Sequence, residues 1–365
     1  MGASKKKKKA REQARARRQI LRRMKGLPQP SLKTLSKLQF VTTPIVPTSR
    51  KSPKKILHRT WRVLHALDSS EPDELLTEER RKILLSIDFD FWTVEKPEWD
   101  WGHREAPIFA SPLLWTTRAA SFKSQGLDIA TETAAALSPF YPPWMLWKSL
   151  SKLGLKFDKL KGICIAESHA AALPYFDGAL QRRRKGEHVL INFDAHHDLG
   201  YPAQEDPMPD CAGWAYCLLK KRRSLMYAHL GPPGSRFASS AWSEQVHSLR
   251  LSYPQLFEIW HRQVYFNQVN SLAEVSSLVS SVPLGTWSVE YIFICRSSSR
   301  VPPWRDHDFA SFLKTIPGAE TVETLVVKGP TEYMDPTLPR EFDWAAVDRL
   351  VETEKSLMAS FSRGK

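Results

Sequence analysis

Three short stretches of this chain carry side chains that could jointly grip a metal ion. The densest is Asp194-Ala195-His196-His197-Asp198, which follows directly on the apolar run Val189-Leu190-Ile191-Asn192-Phe193. In an extended segment side chains two apart point the same way, so Asp194, His196 and Asp198 are expected on one face. Carboxylate, imidazole and carboxylate delivered to one spot suit a divalent cation. This composition yields Asp-x-His-x-Asp by chance only about 0.02 times, so the motif calls for a reason. The competing reading, a hydrogen-bonded strand end with solvated carboxylates, fits poorly beside a run that looks buried on both faces. Asp88 and Asp90 close the run Arg81–Ile87 and are also expected on one strand face, while His169 lies just past Gly162–Ala166. Asp-x-Asp alone is ordinary, at about 0.8 chance matches, and a lone histidine after a strand is more often a cap or a packed residue. Their shared position at the ends of apolar runs gives both weight. Asp88, Asp90, His169, Asp194, His196 and Asp198 together make four carboxylates and two imidazoles. That set suits a pair of divalent ions, Mn²⁺ by preference and Zn²⁺ as the alternative.

Placing these groups together requires a particular kind of scaffold. Four apolar runs, 81–87, 162–166, 189–193 and 289–295, lack alternation and fit strands covered on both faces, as in a parallel sheet. Candidate helices fall at about 133–153 (broken at Pro142-Pro143), 169–184, 212–223, 306–315 and 341–358, with no internal repeat. Strands alternating with helices argue for an α/β domain. Each run ends, on its carboxyl side, in ionisable or hydroxyl residues, and ligands of open α/β sheets bind outside that edge.

These motifs resemble those of the arginase and histone-deacetylase superfamily. Asp194-Ala195-His196-His197-Asp198 is similar to its Asp-Ala-His-x-Asp motif, and Ser86-Ile87-Asp88-Phe89-Asp90 to its Ser-x-Asp-x-Asp motif. Glu167-Ser168-His169 is similar to the strand-end segment supplying the remaining histidine. A closer resemblance is to an arginase-like branch of eukaryotic proteins. That branch shares Asp-x-Asp-Phe, Glu-Ser-His, Asp-Ala-His-His-Asp and Cys-Arg-Ser…Pro-Pro-Trp, a similarity spanning most of residues 79–315. The resemblance implies a three-layer arginase-like α/β domain with a mainly parallel sheet over residues 61–365. It also implies that Asp194 and Asp88 bridge two metals, with His169 and Asp198 completing one site and His196 and Asp90 the other. The motif order departs from that of arginases, since Ser-x-Asp-x-Asp comes first here, as a circular permutation would produce. Neither a Gly-Asn-x-His-Gly segment nor a carboxylate to hold a guanidinium group is found past Asp198, which argues against guanidine hydrolysis.

Two ions sharing carboxylates lower the pKa of a bridging water towards ~7, so the expected chemistry is attack by a metal-bound hydroxide on a C–N bond. The substrate would be a small molecule or peptide carrying an amide, amidine or acylated amine. Glu167 and His197 are candidate acid–base groups because each adjoins a proposed ligand. The alternative for both is support of the site from beneath. Trp214 and Arg296 are candidate substrate-binding residues, the arginine through bidentate hydrogen bonds to an anionic group. Against that, Trp214 could pack a helix and Arg296 could pair with an acidic residue.

Composition bounds the rest. A chain of 365 residues with 42% hydrophobic content can bury a large core, and no apolar stretch approaches the ~20 residues a bilayer span needs. Four cysteines are too few for a disulfide framework and fit a reducing compartment. The net charge of +14 is concentrated, because residues 1–62 hold 20 basic residues and one acidic, a net +19, leaving −5 for the remainder. Residues 1–60 therefore read as a disordered basic tail and a Pro/Ser-containing linker. Residues 5–25 suit non-specific binding of nucleic acid or another polyanion, a nuclear address, or simply a solvated tail. An intracellular location, nucleus or cytoplasm, is expected, with organelle targeting left open. A second function class follows from the tail: a non-catalytic arginase-like adaptor whose basic arm engages a polyanion.

Overall fold

The computed structural model describes residues 81–93, 108–137, 141–152, 154–181, 187–200, 209–222, 224–232, 264–268, 287–329 and 334–363. The tail and linker expected over 1–60, and the expected domain start at 61, lie outside the described residues. Among the described residues seven strands form one sheet: β1 (Arg81–Asp88), β2 (Gly162–Ala166), β3 (Glu187–Phe193), β4 (Leu225–Gly231), β5 (Val264–Gln268), β6 (Ser288–Cys295) and β7 (Thr324–Val327). Their order is β5-β4-β3-β1-β6-β2-β7, and every neighbouring pair is parallel. The first strand thus lies at the centre.

Both faces of the sheet are covered. On β1, Ile83, Leu85 and Ile87 point into one core, and Leu84 points into the other. The first core includes α3 (Met145–Lys152) through Leu146, Trp147 and Leu150, and α6 (Asp306–Leu313) through Phe309 and Phe312. The second includes α4 (Ala172–Gln181) and α5 (Trp214–Lys221), with Phe176, Trp214 and Leu218 at its centre. Each fully buried aliphatic of this kind contributes about 1.5–3 kcal/mol, which is why β1 reads as an unbroken apolar run. The result is a three-layer α/β domain with a parallel sheet, as the sequence predicts.

The element boundaries differ from expectation in instructive places. The helical stretch expected over 133–153 is broken at Pro142-Pro143 as expected, but its first part, α2 (Ile129–Ala135), begins four residues earlier, and α3 follows the turn. The segment after β2 opens with a tight turn over His169–Ala171 before α4 begins. α1 (Ser111–Ser124) has no counterpart among the expected helices. It packs away from the sheet, where Trp115, Ala119, Ala120 and Phe122 meet Val347, Leu350 and Val351 of α7 (Trp344–Arg363).

Candidate metal centre

The carboxyl edge of the sheet gathers the groups with chemical potential. Ile87 of β1 pairs with Phe193 of β3, so Asp88 and Asp194, each one residue further on, leave the sheet side by side. Asp88 is level with Cys295 of β6, and Cys295 with Ala166 of β2, so Arg296 and Glu167 emerge at the same height.

The local geometry corrects the simple strand picture. Asp88 caps a tight helical turn over Phe89–Trp92, and its Oδ1 accepts from Asp90 N at 3.0 Å. That turn, and not a shared strand face, brings Asp90 round to the same side. Phe89, Phe91 and Trp92 anchor it in the core against Phe309, Phe193 and Phe312. β3 likewise stops at Phe193, so residues 194–198 form a loop and not a strand. Asp194 Oδ1 accepts from His196 N at 2.7 Å, and Asp198 takes a left-handed φ of 52°.

The six residues proposed as ligands meet in two overlapping groups. His169 Nδ1 lies 2.9 Å from Asp198 Oδ2, 3.0 Å from Asp194 Oδ2 and 3.3 Å from Asp88 Oδ2. His196 Nδ1 lies 2.9 Å from Asp90 Oδ2 and 3.5 Å from Asp194 Oδ1. Asp194 therefore turns one oxygen to each histidine. Asp88, His169 and Asp194 form one candidate cation site, and Asp90, Asp194 and His196 a second, so Asp194 is common to both groups whereas Asp88, also expected to bridge, falls in the first alone.

These residues fit metal ions on three counts. First, His169 Nδ1 is buried and makes no hydrogen bond with proper geometry, although three carboxylate oxygens converge on it. Second, Ser86 Oγ lies 2.7 Å from His169 Nε2; with the ring proton on that nitrogen, Nδ1 offers its lone pair inward. Third, four buried carboxylates carry four negative charges, which two divalent cations balance. Without metal, burial and the charges of Asp88 and Asp194 hold the Asp90 carboxyl well above its usual range, and burial and Asp194 do the same for Asp198. Burial opposes a charge on His169, but Asp198, Asp194 and Asp88 outweigh it and raise its pKa; Asp90 and Asp194 do likewise for His196. Burial also opposes the charge on Asp194, but both imidazoles outweigh it and depress its pKa.

A polar layer beneath fixes the ligands. Asn192 Nδ2 donates to Asp194 Oδ2 at 3.2 Å and lies 2.9 Å from Tyr227 Oη, which donates to the His197 carbonyl at 2.9 Å. His229 Nε2 lies 3.0 Å from the Asp194 carbonyl. Ser297 Oγ donates to Asp88 Oδ2 at 2.5 Å. Ser86 and Asn192 are register partners on adjacent strands, both polar inside apolar runs. That interruption was the available signal for their role. Ser297 was marked only by its place in the Cys-Arg-Ser motif after an apolar run, and Tyr227 and His229 gave no signal.

The four remaining residues singled out from the sequence occupy supporting positions. Trp214 is fully buried: its Nε1 donates to Asp198 Oδ2 at 2.6 Å, and its ring lies 4.9 Å from that of His169. It therefore orients two ligands and lines no open pocket. Arg296 is also fully buried, pairing with Glu167, with Asp306 at 3.1 Å and with the Asp335 carbonyl at 3.0 Å. Its guanidinium is committed to the protein interior, so the expectation that it holds substrate is withdrawn. Burial raises the Glu167 pKa against the pull of Arg296, and its Oε2 is buried with no hydrogen-bond partner. His197 is buried and accepts from Leu199 N at 3.1 Å; burial, His229 and His196 push its pKa down to about 3. At neutral pH it is an uncharged imidazole under the site and not an acid. No protein-family model, curated protein or solved structure matches the chain.

Proposed function

We propose that the protein is a binuclear metal-dependent hydrolase of C–N bonds, on the arginase-like plan that its motifs resemble. The observation that carries this reading is Asp194, whose two oxygens face the ligating nitrogens of two different histidines. Asp88, His169, Asp194 and Asp198 would hold one cation, and Asp90, Asp194 and His196 the other, with Mn²⁺ or Zn²⁺ suited to the mixed oxygen and nitrogen set. Bound divalent cations would supply Lewis-acid activation of water and of an amide, amidine or acyl-amine carbon.

The chain's own residues give the site a direction. The His196 side chain is 14% exposed, whereas those of Asp88, Asp90, His169, Asp194 and Asp198 are at most 5% exposed. Substrate therefore approaches from the His196 side, and the four-residue group around His169 forms the closed floor. Trp214 and Phe293 flank the His169 ring, with centroids at 4.9 and 5.5 Å, and keep water from that floor. His197 serves as a neutral prop. Ser168 caps the turn that presents His169, accepting from Ala170 N at 3.3 Å, and the Glu167 carboxyl beside it pairs with Arg296.

The test is metal content by elemental mass spectrometry on the wild type and on His196→Ala, purified without chelators. About two metal ions in the wild type and fewer in the variant support the reading and justify screening amides, amidines and acylated amines. No metal in either after reconstitution overturns it. The adaptor alternative, favoured by the net +19 of residues 1–62, would then stand.

A further inference from the structure

The loop after β6 carries the second left-handed non-glycine residue among the described residues, Ser297, at φ 51°. A serine in that conformation is strained and persists only where its surroundings impose it. Its hydroxyl holds Asp88 Oδ2, the same oxygen that faces His169. The loop is pinned from outside the sheet. Arg340 donates to the carbonyls of Ser298 and Val301, both at 2.9 Å, and to both oxygens of Asp306. Trp115 Nε1 donates to the Ser298 carbonyl at 2.7 Å, and Arg118 to that of Ser299. Asp306 in turn holds Arg296, which also pairs with Glu167. Glu167, Arg296, Asp306 and Arg340 thus make a buried chain of alternating, balanced charge, all at most 6% exposed.

We infer that Arg340 is a positioning residue for the metal centre, acting through the loop it holds to aim Ser297 at Asp88. The inference rests on the binuclear reading above. Arg340 lies in the segment before α7, outside the stretch that resembles the arginase-like proteins. The C-terminal segment therefore does more than cover α1: through one guanidinium it fixes a ligand oxygen on the first strand. Groups that hold a metal ligand in place are worth roughly 10–100-fold in metal affinity, so the effect is measurable.

The test is a double-mutant cycle on the full chain, with metal affinity and thermal midpoint both read. Mn²⁺ titration, under conditions where every variant is folded, compares wild type, Ser297→Ala, Arg340→Met and the double variant. Ser297→Ala should weaken affinity at the Asp88–His169 site by about 10-fold with a small change in midpoint. Arg340→Met should weaken it similarly and also lower the midpoint. In the Ser297→Ala background Arg340→Met should lower the midpoint again but leave affinity unchanged, since the path already ends at Ser297. Arg340→Lys, which keeps a donor and the charge, should restore part of the affinity and covers the case where Arg340→Met does not fold. A purely structural arginine would lower the midpoint in both backgrounds and leave affinity alone, and that result overturns the inference. Additive losses of affinity overturn the route through Ser297. A wild type that binds no metal removes the binuclear reading and this inference with it, whereas a binding wild type with a fully binding Arg340→Met removes only the inference.

Discussion

The shared carboxylate gives the sharpest prediction. Asp194→Asn changes one oxygen to an amide nitrogen and removes one charge. Both oxygens already accept from N–H donors, Oδ1 from His196 N at 2.7 Å and Oδ2 from Asn192 Nδ2 at 3.2 Å. Whichever way the amide turns, its NH₂ faces a donor on one side, at a cost of about 1–3 kcal/mol for the unsatisfied group. Loss of attraction to His169 and His196 is only partly offset by relief of repulsion from Asp90 and Asp198, so the metal-free protein should also be destabilised, by at least the cost of the unsatisfied amide. Metal binding should collapse at both sites. At a metal concentration 1,000-fold above Kd, each ion stabilises the folded state by about 4.1 kcal/mol, so two contribute about 8 kcal/mol. The variant should lose most of this. Asp90→Asn, which removes a partner of His196 alone, should keep the share due to the His169 site. Thermal midpoints with Mn²⁺ and with EDTA, alongside metal content, measure all of it. Two retained ions in Asp194→Asn, or equal losses in the two variants, would falsify the bridging assignment.

The pH dependence of the metal-free protein should run opposite to that of the loaded one. Asp90, Asp198, His169 and His196 all have raised folded-state pKa values, so their contribution is present at low pH and lost as pH rises through those values, for the histidines above the usual 6.5. In EDTA the midpoint should therefore fall as pH rises through neutrality. Metal affinity should rise over the same range with proton release, read by calorimetry in buffers of different ionisation enthalpy; no proton release would contradict the electrostatic account. Trp214→Phe keeps the aromatic packing but removes the 2.6 Å bond to Asp198, and should weaken metal binding about 10-fold in a Mn²⁺ titration. Deleting residues 5–25, which hold 12 basic residues and one acidic, should abolish salt-sensitive binding to duplex DNA in a fluorescence-anisotropy titration and leave metal content unchanged.

How far the sequence could be read depended on the range of the interactions. β1, β2, β3 and β6 stood out because burial on both faces imposes unbroken apolar runs. β4 was hidden by Tyr227 and His229, which serve the site, and β7 by its shortness and half-exposed side chains. All six proposed ligands were legible, because carboxylates and imidazoles at strand ends have few other reasons to cluster. The route by which they meet was not. The two-residue alternation assumed an extended backbone, whereas the capped turn after Asp88 and the left-handed Asp198 break it. The supporting contacts were out of reach for a different reason. Ser297 and Asp88 stand 209 positions apart and Arg340 and Ser298 stand 42 apart, so local pattern carries no trace of either pairing. For Arg296 the sequence left two readings open, an anionic group held by its guanidinium or an acidic partner, and the second is found. Here Glu167 and Asp306 enclose it.

The central place of β1 has a consequence for how the chain comes to be made. Its register partners begin with Glu187 on one side and Ser288 on the other, 106 and 206 residues downstream. At about 5–20 residues per second, roughly 10–40 s of synthesis separate β1 from its later neighbour. For the first half of that interval Ile83-Leu84-Leu85 has no native strand beside it, and its pairing with β6 is the most distant between the described strands. Such non-local parallel pairing is slow and open to aggregation. The newborn chain should therefore depend on chaperones that shield apolar segments, and its yield should respond to expression temperature more steeply than its final stability suggests.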